Sequence, residues 1–209
     1  MDLEQNVTTR RGRPKSEEKR ESIREAAATL FLKEGYERCS MDSIAAEAGV
    51  SKQTVYSHFD SKDELFRCCI IGKVDMYDLR VRAEEHDDLE SGLASFADGF
   101  LRLVSDPQAA KMWRLMMYEA ELHPHVAKMF HDTGPAESLK SLEQFLEAHE
   151  KRLATRDYAR AAKTFLALTA DTYHSRILLG VIEGVTDEQR HAHVARVTEQ
   201  FVRLFGAAN

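Results

Sequence analysis

From Glu17 to Phe205 the apolar residues return at three- and four-residue intervals, and no stretch alternates apolar with polar as a half-buried strand would. Only four prolines and ten glycines interrupt that rhythm, which restricts the chain to an all-α fold of about nine helices. The first helix is expected over 17–34, where Ile23, Ala26, Ala27, Leu30 and Phe31 share a face and Gly35 supplies a left-handed stop. Ser40 caps a short second helix with Met41, Ile44, Ala45 and Ala48 along its stripe, and Gly49 gives the positive φ of a tight turn. Ser51 caps a third helix over 52–58 that turns only Val55 inward, with Phe59 just past its end. Such a helix is too short to stand alone, and packing does not account for its polar face. Ser61 and Glu64 make a capping box that opens a long fourth helix, expected to reach about Glu85. Five more are expected at about 89–104, 107–121, 126–149 with a break at Gly134-Pro135, 156–180 and 187–205.

The formal net charge of -6 argues against a nucleic-acid partner until its distribution is considered. Residues 1–73 hold 13 basic against 13 acidic side chains, whereas residues 74–209 hold 16 against 22. Between Arg10 and Arg20 lie six basic residues and only Glu17 and Glu18 in opposition. A basic arm on an acidic body suits a protein that targets DNA.

Other classes are disfavoured. Neither end carries a charged flank followed by an apolar run, and no apolar stretch approaches the roughly eighteen residues of a membrane span, so a cytoplasmic protein without a membrane partner is expected. Cys39, Cys68 and Cys69 lack zinc-site spacing and read as reduced core thiols. Among the nine histidines, His191 and His193 point apart on a helix, and His123, His125 and His131 lack a cysteine or carboxylate at ligand spacing; no metal and no cofactor are expected. Without a GxSxG elbow, an HExxH pair or a phosphate loop, no catalytic residue is assigned and the protein is not expected to be an enzyme.

Three short helices, the second and third joined through Gly49-Val50-Ser51, have the layout of a helix-turn-helix whose later helix enters the major groove. With Val55 facing the core, steps of about 100° place Gln53 and Ser57 opposite it, Thr54 and Tyr56 on the flanks, and Lys52 and His58 near the rim. Gln53 and Ser57 are therefore the base-reading candidates, since glutamine can pair bidentately with adenine. Thr54 and Tyr56 suit phosphate oxygens, Lys52 suits either target, and Lys62 at the first turn of the fourth helix suits a phosphate clamp. Ser40, at the head of the second helix, joins this set. Plain solvation of Lys52 and Lys62, and a surface imidazole at His58, are the competing readings.

The run from Ser40 to Leu65 resembles the TetR family signature, with Ile44-Ala45 and Ala48-Gly49-Val50-Ser51 as its core and Thr54-Val55-Tyr56, His58-Phe59, Ser61-Lys62 and Leu65 as its tail. The resemblance covers roughly residues 17–66. It implies a homodimer with paired recognition helices on double-stranded operator DNA, phosphate contacts at Tyr56, His58 and Lys62, and an effector pocket in the other domain. Trp113 to Ala120, with Met129-Phe130 and Gly134-Pro135, is similar to the C-terminal domain of AefR-like members. Gln53 departs from the small residue or proline common at its position, which bears on the operator sequence. Arg11-Gly12-Arg13-Pro14-Lys15 resembles the Gly-Arg-Pro core of an AT-hook, placing Arg13 in a narrow minor groove; a basic tail with unspecific phosphate attraction is the alternative.

The expected organisation is thus a flexible basic arm over 1–15, a helix-turn-helix domain over 16–66, and a ligand-binding and dimerisation domain over 67–209. Phe96, Phe100, Trp113, Met116, Met117, Phe130, Phe165 and Tyr173, with the polar Thr169, His174 and Glu119, are candidates for the pocket of an unknown small-molecule effector, or else simply core. The helices over 156–180 and 187–205 need cover on more than one side, so Phe165, Leu168, Val194, Val197, Phe201, Leu204 and Phe205 are candidates for a dimer interface; a core helix within one protomer is the alternative. The expected function is that of a ligand-responsive transcriptional regulator, a repressor released from a palindromic operator by an apolar or amphipathic effector. An activator on the same fold, and a helical small-molecule-binding protein or enzyme retaining the DNA-binding module, are the alternatives.

Overall fold

Capping decides where the helices begin and end. The computed structural model describes residues 14–86 and 88–207. These form α1 (Pro14–Glu34), α2 (Met41–Glu47), α3 (Lys52–His58), α4 (Lys62–Met76), α5 (Leu89–Ser105), α6 (Pro107–Leu122), α7 (Pro124–Thr133), α8 (Pro135–Ala148), α9 (Tyr158–Ala170), α10 (Tyr173–Leu178) and α11 (Asp187–Phe205). Short 3-10 turns lie at Ala83–Glu85 and Glu150–Arg152, and the described residues contain no strand beyond an isolated bridge between Leu153 and Gly206. The fold is all-α. No helix among the described residues is long and apolar enough to cross a membrane.

Three helix ends differ from the expectation of about nine helices. The fourth stops at Met76 instead of near Glu85, because Asp78 adopts φ 54 and closes the end with bonds from Leu79 N to Val74 O (3.3 Å) and from Asp78 N to Asp75 O (3.2 Å). This reversal turns Leu79 and Val81 into the core, where an exposed continuation would have carried them away. The break expected at Gly134-Pro135 is a full division into α7 and α8, Gly134 serving as the cap and Pro135 as the first helical residue. The helix expected over 156–180 divides at Asp171, which has φ 40 and ψ −131. No glycine or proline announces that break. Contacts with α11 hold it: His193 donates from Nε2 to Thr169 O (3.0 Å), accepts from Arg196 at Nδ1, and Arg196 approaches Asp171 at 3.8 Å.

The chain divides into two compact units between Cys69 and Ile70, within α4. In the first, Ile23, Phe31, Ile44, Val55, Phe59, Leu65 and Phe66 are buried. Phe31 stacks on Tyr36 at 5.6 Å, and Phe66 meets both rings edge-on at 5.1 Å. In the second, α5 packs against α9 and α11 through Phe96, Phe165 and Phe201, whose centroids lie 6.3 and 5.2 Å apart in sequence. Gly92 lets α5 approach α8 closely, for a Cβ there would lie 2.1 Å from the Phe145 ring.

One carboxylate in the second unit serves two helices. Asp106 caps α6, its Oδ1 accepting from Gln108 N (2.8 Å) and Ala109 N (2.9 Å), while its Oδ2 accepts from Lys73 Nζ (2.7 Å) and Tyr77 OH (2.6 Å). Burial works against its charge, but the hydrogen bonds from Lys73 and Tyr77 outweigh burial and hold its pKa below the ordinary carboxylate value.

Candidate functional site

The helix-turn-helix is built by two capped ends and one glycine. Ser40 caps α2 by accepting from Ser43 N (3.0 Å), and Ser43 returns the favour at Ser40 N, completing a capping box. Gly49, at φ 65, ends α2 with bonds from its own N–H to Ala46 O (3.2 Å) and from Val50 N to Ala45 O (3.0 Å). Ser51 then caps α3 by accepting from Thr54 N (3.1 Å). Four residues, Ala48 to Ser51, therefore suffice to turn the chain from one helix into the next.

Within α3 only Val55 is buried, and Phe59 anchors the residue beyond it. Burial of one such side chain contributes about 1.5–3 kcal/mol, enough to fix which face looks out. Lys52, Gln53, Tyr56 and Ser57 are exposed, Tyr56 at 52%, whereas Thr54 and His58 are half-buried. The Thr54 hydroxyl lies 2.9 Å from that of Ser51, and Ser57 donates to Thr54 O (2.7 Å), so both hydroxyls have partners within the helix. The Lys52 ammonium pairs with Asp42 across an exposed surface, a contact worth little against a phosphate. Arg13 lies outside the described residues.

Lys62, expected to clamp a phosphate, already has partners within the protein. Its ammonium donates to Tyr36 O (2.9 Å) and sits 4.2 Å above the Tyr36 ring, because α1 ends directly beside the start of α4. Tyr36 in turn donates to Asp63, and burial, with this bond adding to it, raises the Tyr36 pKa. Arg20 is a positioning residue that the sequence did not single out. It donates to His58 O (2.8 Å) and lies 4.3 Å over the Phe59 ring, holding the C-terminal end of α3 from a position 38 residues upstream. No local pattern carries such a signal.

In the second unit the pocket candidates separate into groups. Phe100, Trp113, Phe130 and His174 come together: Trp113 meets Phe130 at 5.2 Å and His174 at 5.1 Å, and Phe100 meets His174 at 6.0 Å, all edge-on. Phe96 and Phe165 belong instead to the buried core with Phe201, and Thr169 spends its hydroxyl on Phe165 O (2.9 Å). Tyr173 lies edge-on to the buried His193 at 5.1 Å. Met116 is buried but Met117, the next residue round α6, is 60% exposed, which removes it from an enclosed pocket lining. Glu119 is buried against His123.

The interface candidates divide in the same way. Phe165, Val197 and Phe201 have no exposed surface, since α5, α9 and α11 consume them within one protomer, and they leave the set. Val194 is buried, though 9% of it is still accessible, Leu168 and Phe205 are half-buried, and Leu204 is 63% exposed. Among the described residues no group of three or more histidine, cysteine or acidic side chains is placed to hold a metal ion.

Residues 23–69 match the bacterial regulatory proteins of the tetR family, and residues 91–207 match the AefR-like transcriptional repressor, C-terminal domain. The chain belongs to the TetR family. The HTH-type transcriptional regulator TtgR of Pseudomonas putida is 35% identical over 116 residues, which cover 54% of this chain and 55% of that one. The transcriptional activator FasR of Mycolicibacterium smegmatis is 35% identical over 88 residues, covering 39% of this chain and 40% of that one. The matched stretches thus span about half or less of these curated relatives. Among solved structures, the Flavonoid-responsive Regulator FrrA aligns with a TM-score of 0.70 and 28% identity over 92% of this chain and 100% of its own.

Proposed function

We propose that this TetR-family chain is a ligand-responsive, DNA-binding transcriptional regulator, in which residues 16–66 grip an operator and residues 67–209 bind an effector and a second protomer. The observation that carries this reading is α3: one buried valine fixes the helix while Lys52, Gln53, Tyr56 and Ser57 face outward as a polar, hydrogen-bonding surface. Gln53 and Ser57 read base edges, Tyr56, His58 and Lys62 meet phosphates with Lys52 and Thr54 beside them, and Ser40 presents the head of α2 to the backbone. Two such helices from a homodimer reach half-sites about 34–36 Å apart. Leu168, Val194, Leu204 and Phe205 supply the apolar part of the dimer contact. Arg13 and its basic neighbours add charge attraction from the arm.

Repression is the primary reading. The effector lowers operator affinity by favouring a different arrangement of the protomers, and linkage requires the operator to lower effector affinity by the same factor. FrrA is named as flavonoid-responsive, which supports control of this chain by a small molecule as well. Activation is the second reading, favoured by FasR, which is named an activator. No catalytic step belongs to either. The protein works where its DNA is, in the bacterial cytoplasm.

Fluorescence anisotropy with the intergenic DNA upstream of its own gene tests the reading. Tight, salt-sensitive binding that requires both halves of a palindrome is expected; equal affinity for scrambled DNA overturns it. A reporter fused to that DNA, with the gene deleted, separates the two readings: expression rises for a repressor and falls for an activator.

A further inference from the structure

His174 holds a polar atom that the rest of the second unit leaves unanswered. Its Nε2 is buried and meets no hydrogen-bonding partner among the described residues. An unpaired buried nitrogen carries a desolvation cost that a suitable partner removes. Around it stand Trp113 at 5.1 Å and Phe100 at 6.0 Å, with Phe130 edge-on to Trp113. Phe100, Trp113 and His174 each keep part of their surface exposed, unlike the sealed stack of Phe96, Phe165 and Phe201.

The other polar groups nearby in sequence are already engaged. Thr169 bonds Phe165 O, Glu119 pairs with His123, and Arg114 donates to Ile177 O (3.0 Å) and Leu178 O (2.9 Å). Each of these groups therefore has its hydrogen bonds filled without a guest. Burial lowers the His174 pKa, so the ring is neutral and offers one donor and one acceptor. A hydroxyl can donate or accept and so suits either tautomer, whereas a carbonyl or an ether suits only one.

We propose that Phe100, Trp113, Phe130 and His174 form a binding site for a neutral hydroxylated aromatic molecule, its ring against the aromatic side chains and its hydroxyl on His174 Nε2. This rests on the reading of residues 67–209 as the effector-responsive part, and it names the class of effector. The aromatic edges select a flat ring, and the imidazole selects the hydroxyl.

Trp113 is the only tryptophan of the chain, so its fluorescence reports the site directly. The test titrates para-phenylphenol and biphenyl into the full-length protein and follows that signal. The phenol is expected to bind about tenfold more tightly, the value of one hydrogen bond, and the preference is expected to vanish in His174→Phe and in His174→Leu. Circular dichroism identifies which variant is folded and carries the comparison; the two ligands compared on the wild-type protein test the proposal without any variant. Equal affinity for both ligands, a preference undiminished in a folded variant, or no response to either ligand overturns it. Operator anisotropy in the same titration keeps the two readings apart. Selective binding of the phenol with unchanged operator affinity upholds the site and sinks the effector role, while operator release that is indifferent to His174 does the reverse.

Discussion

Helix α3, proposed to read DNA, and the proposed His174 site solve opposite problems. Helix α3 is seven consecutive residues with one buried anchor, and everything it offers a partner is presented by local geometry: two serine caps, one glycine turn, one valine. The cluster takes a single side chain from each of α5, α6, α7 and α10, and its character depends on which polar groups other parts of the unit have already consumed. A surface that must read a regular duplex can be built from a rigid short helix. A site for a small molecule needs enclosure, which only distant segments provide.

The contrast predicts that stability and specificity respond to different residues. The largest effect belongs to the sealed core: Phe165→Ala should cost about 3–5 kcal/mol of stability in chemical denaturation, because its ring joins α5 to α11 and the vacated volume is too enclosed to collapse. Gln53→Ala should leave the unfolding midpoint where it is and instead relax discrimination at one base pair by about 1–3 kcal/mol, measured by anisotropy on single-base operator variants. An unchanged operator preference would place the reading face elsewhere on α3.

Lys62→Ala sharpens the boundary between the two behaviours. Its ammonium bridges the Tyr36 carbonyl and ring, so the variant should lose about 1 kcal/mol of stability. The same change should weaken all DNA sequences alike and shallow the salt dependence by about one phosphate. A loss of stability with an unaltered salt slope would make Lys62 a purely internal brace.

Asp171→Gly should stabilise by about 1 kcal/mol in a thermal melt, since φ 40 with ψ −131 is a conformation that glycine adopts without strain and its half-exposed pairing with Arg196 is worth little. The smallest effect is conditional on acidity. Because the Asp106 pKa is lowered in the folded state, its carboxylate stabilises the protein above the ordinary carboxylate pKa, and that contribution disappears as pH falls through the lowered value. Asp106→Asn should therefore be less stable than the wild type near neutrality, with the gap in urea midpoints closing as the medium is acidified below about pH 4.

The same contrast explains what was legible beforehand. Helical periodicity placed the elements, and the caps at Ser40, Ser51, Ser61 and Thr186 and the stops at Gly35 and Gly49 fixed many of their ends, since each acts within a few residues. The phase of α3 followed from Val55 alone. The break at Asp171 did not, because the bond that fixes it, from His193 to Thr169 O, comes from another helix. Nor did the division of the aromatic residues: Phe100 and Phe165 look alike in sequence, and only the packing of α5, α9 and α11 decides that one is sealed and the other stands beside an unpaired imidazole. Arg20 at His58 and Lys62 at Tyr36 were hidden for the same reason.

Gly92 and Phe145 share one further trait. The benzyl ring of the second fills the space that any side chain on the first would need. Neither position is free to drift alone during descent: a methyl group at 92 becomes tolerable only once the ring at 145 has been trimmed, and a trimmed ring leaves a void until 92 grows. Selection would perceive the two sites as a pair, and divergence between this chain and its kin should pass through both together or through neither.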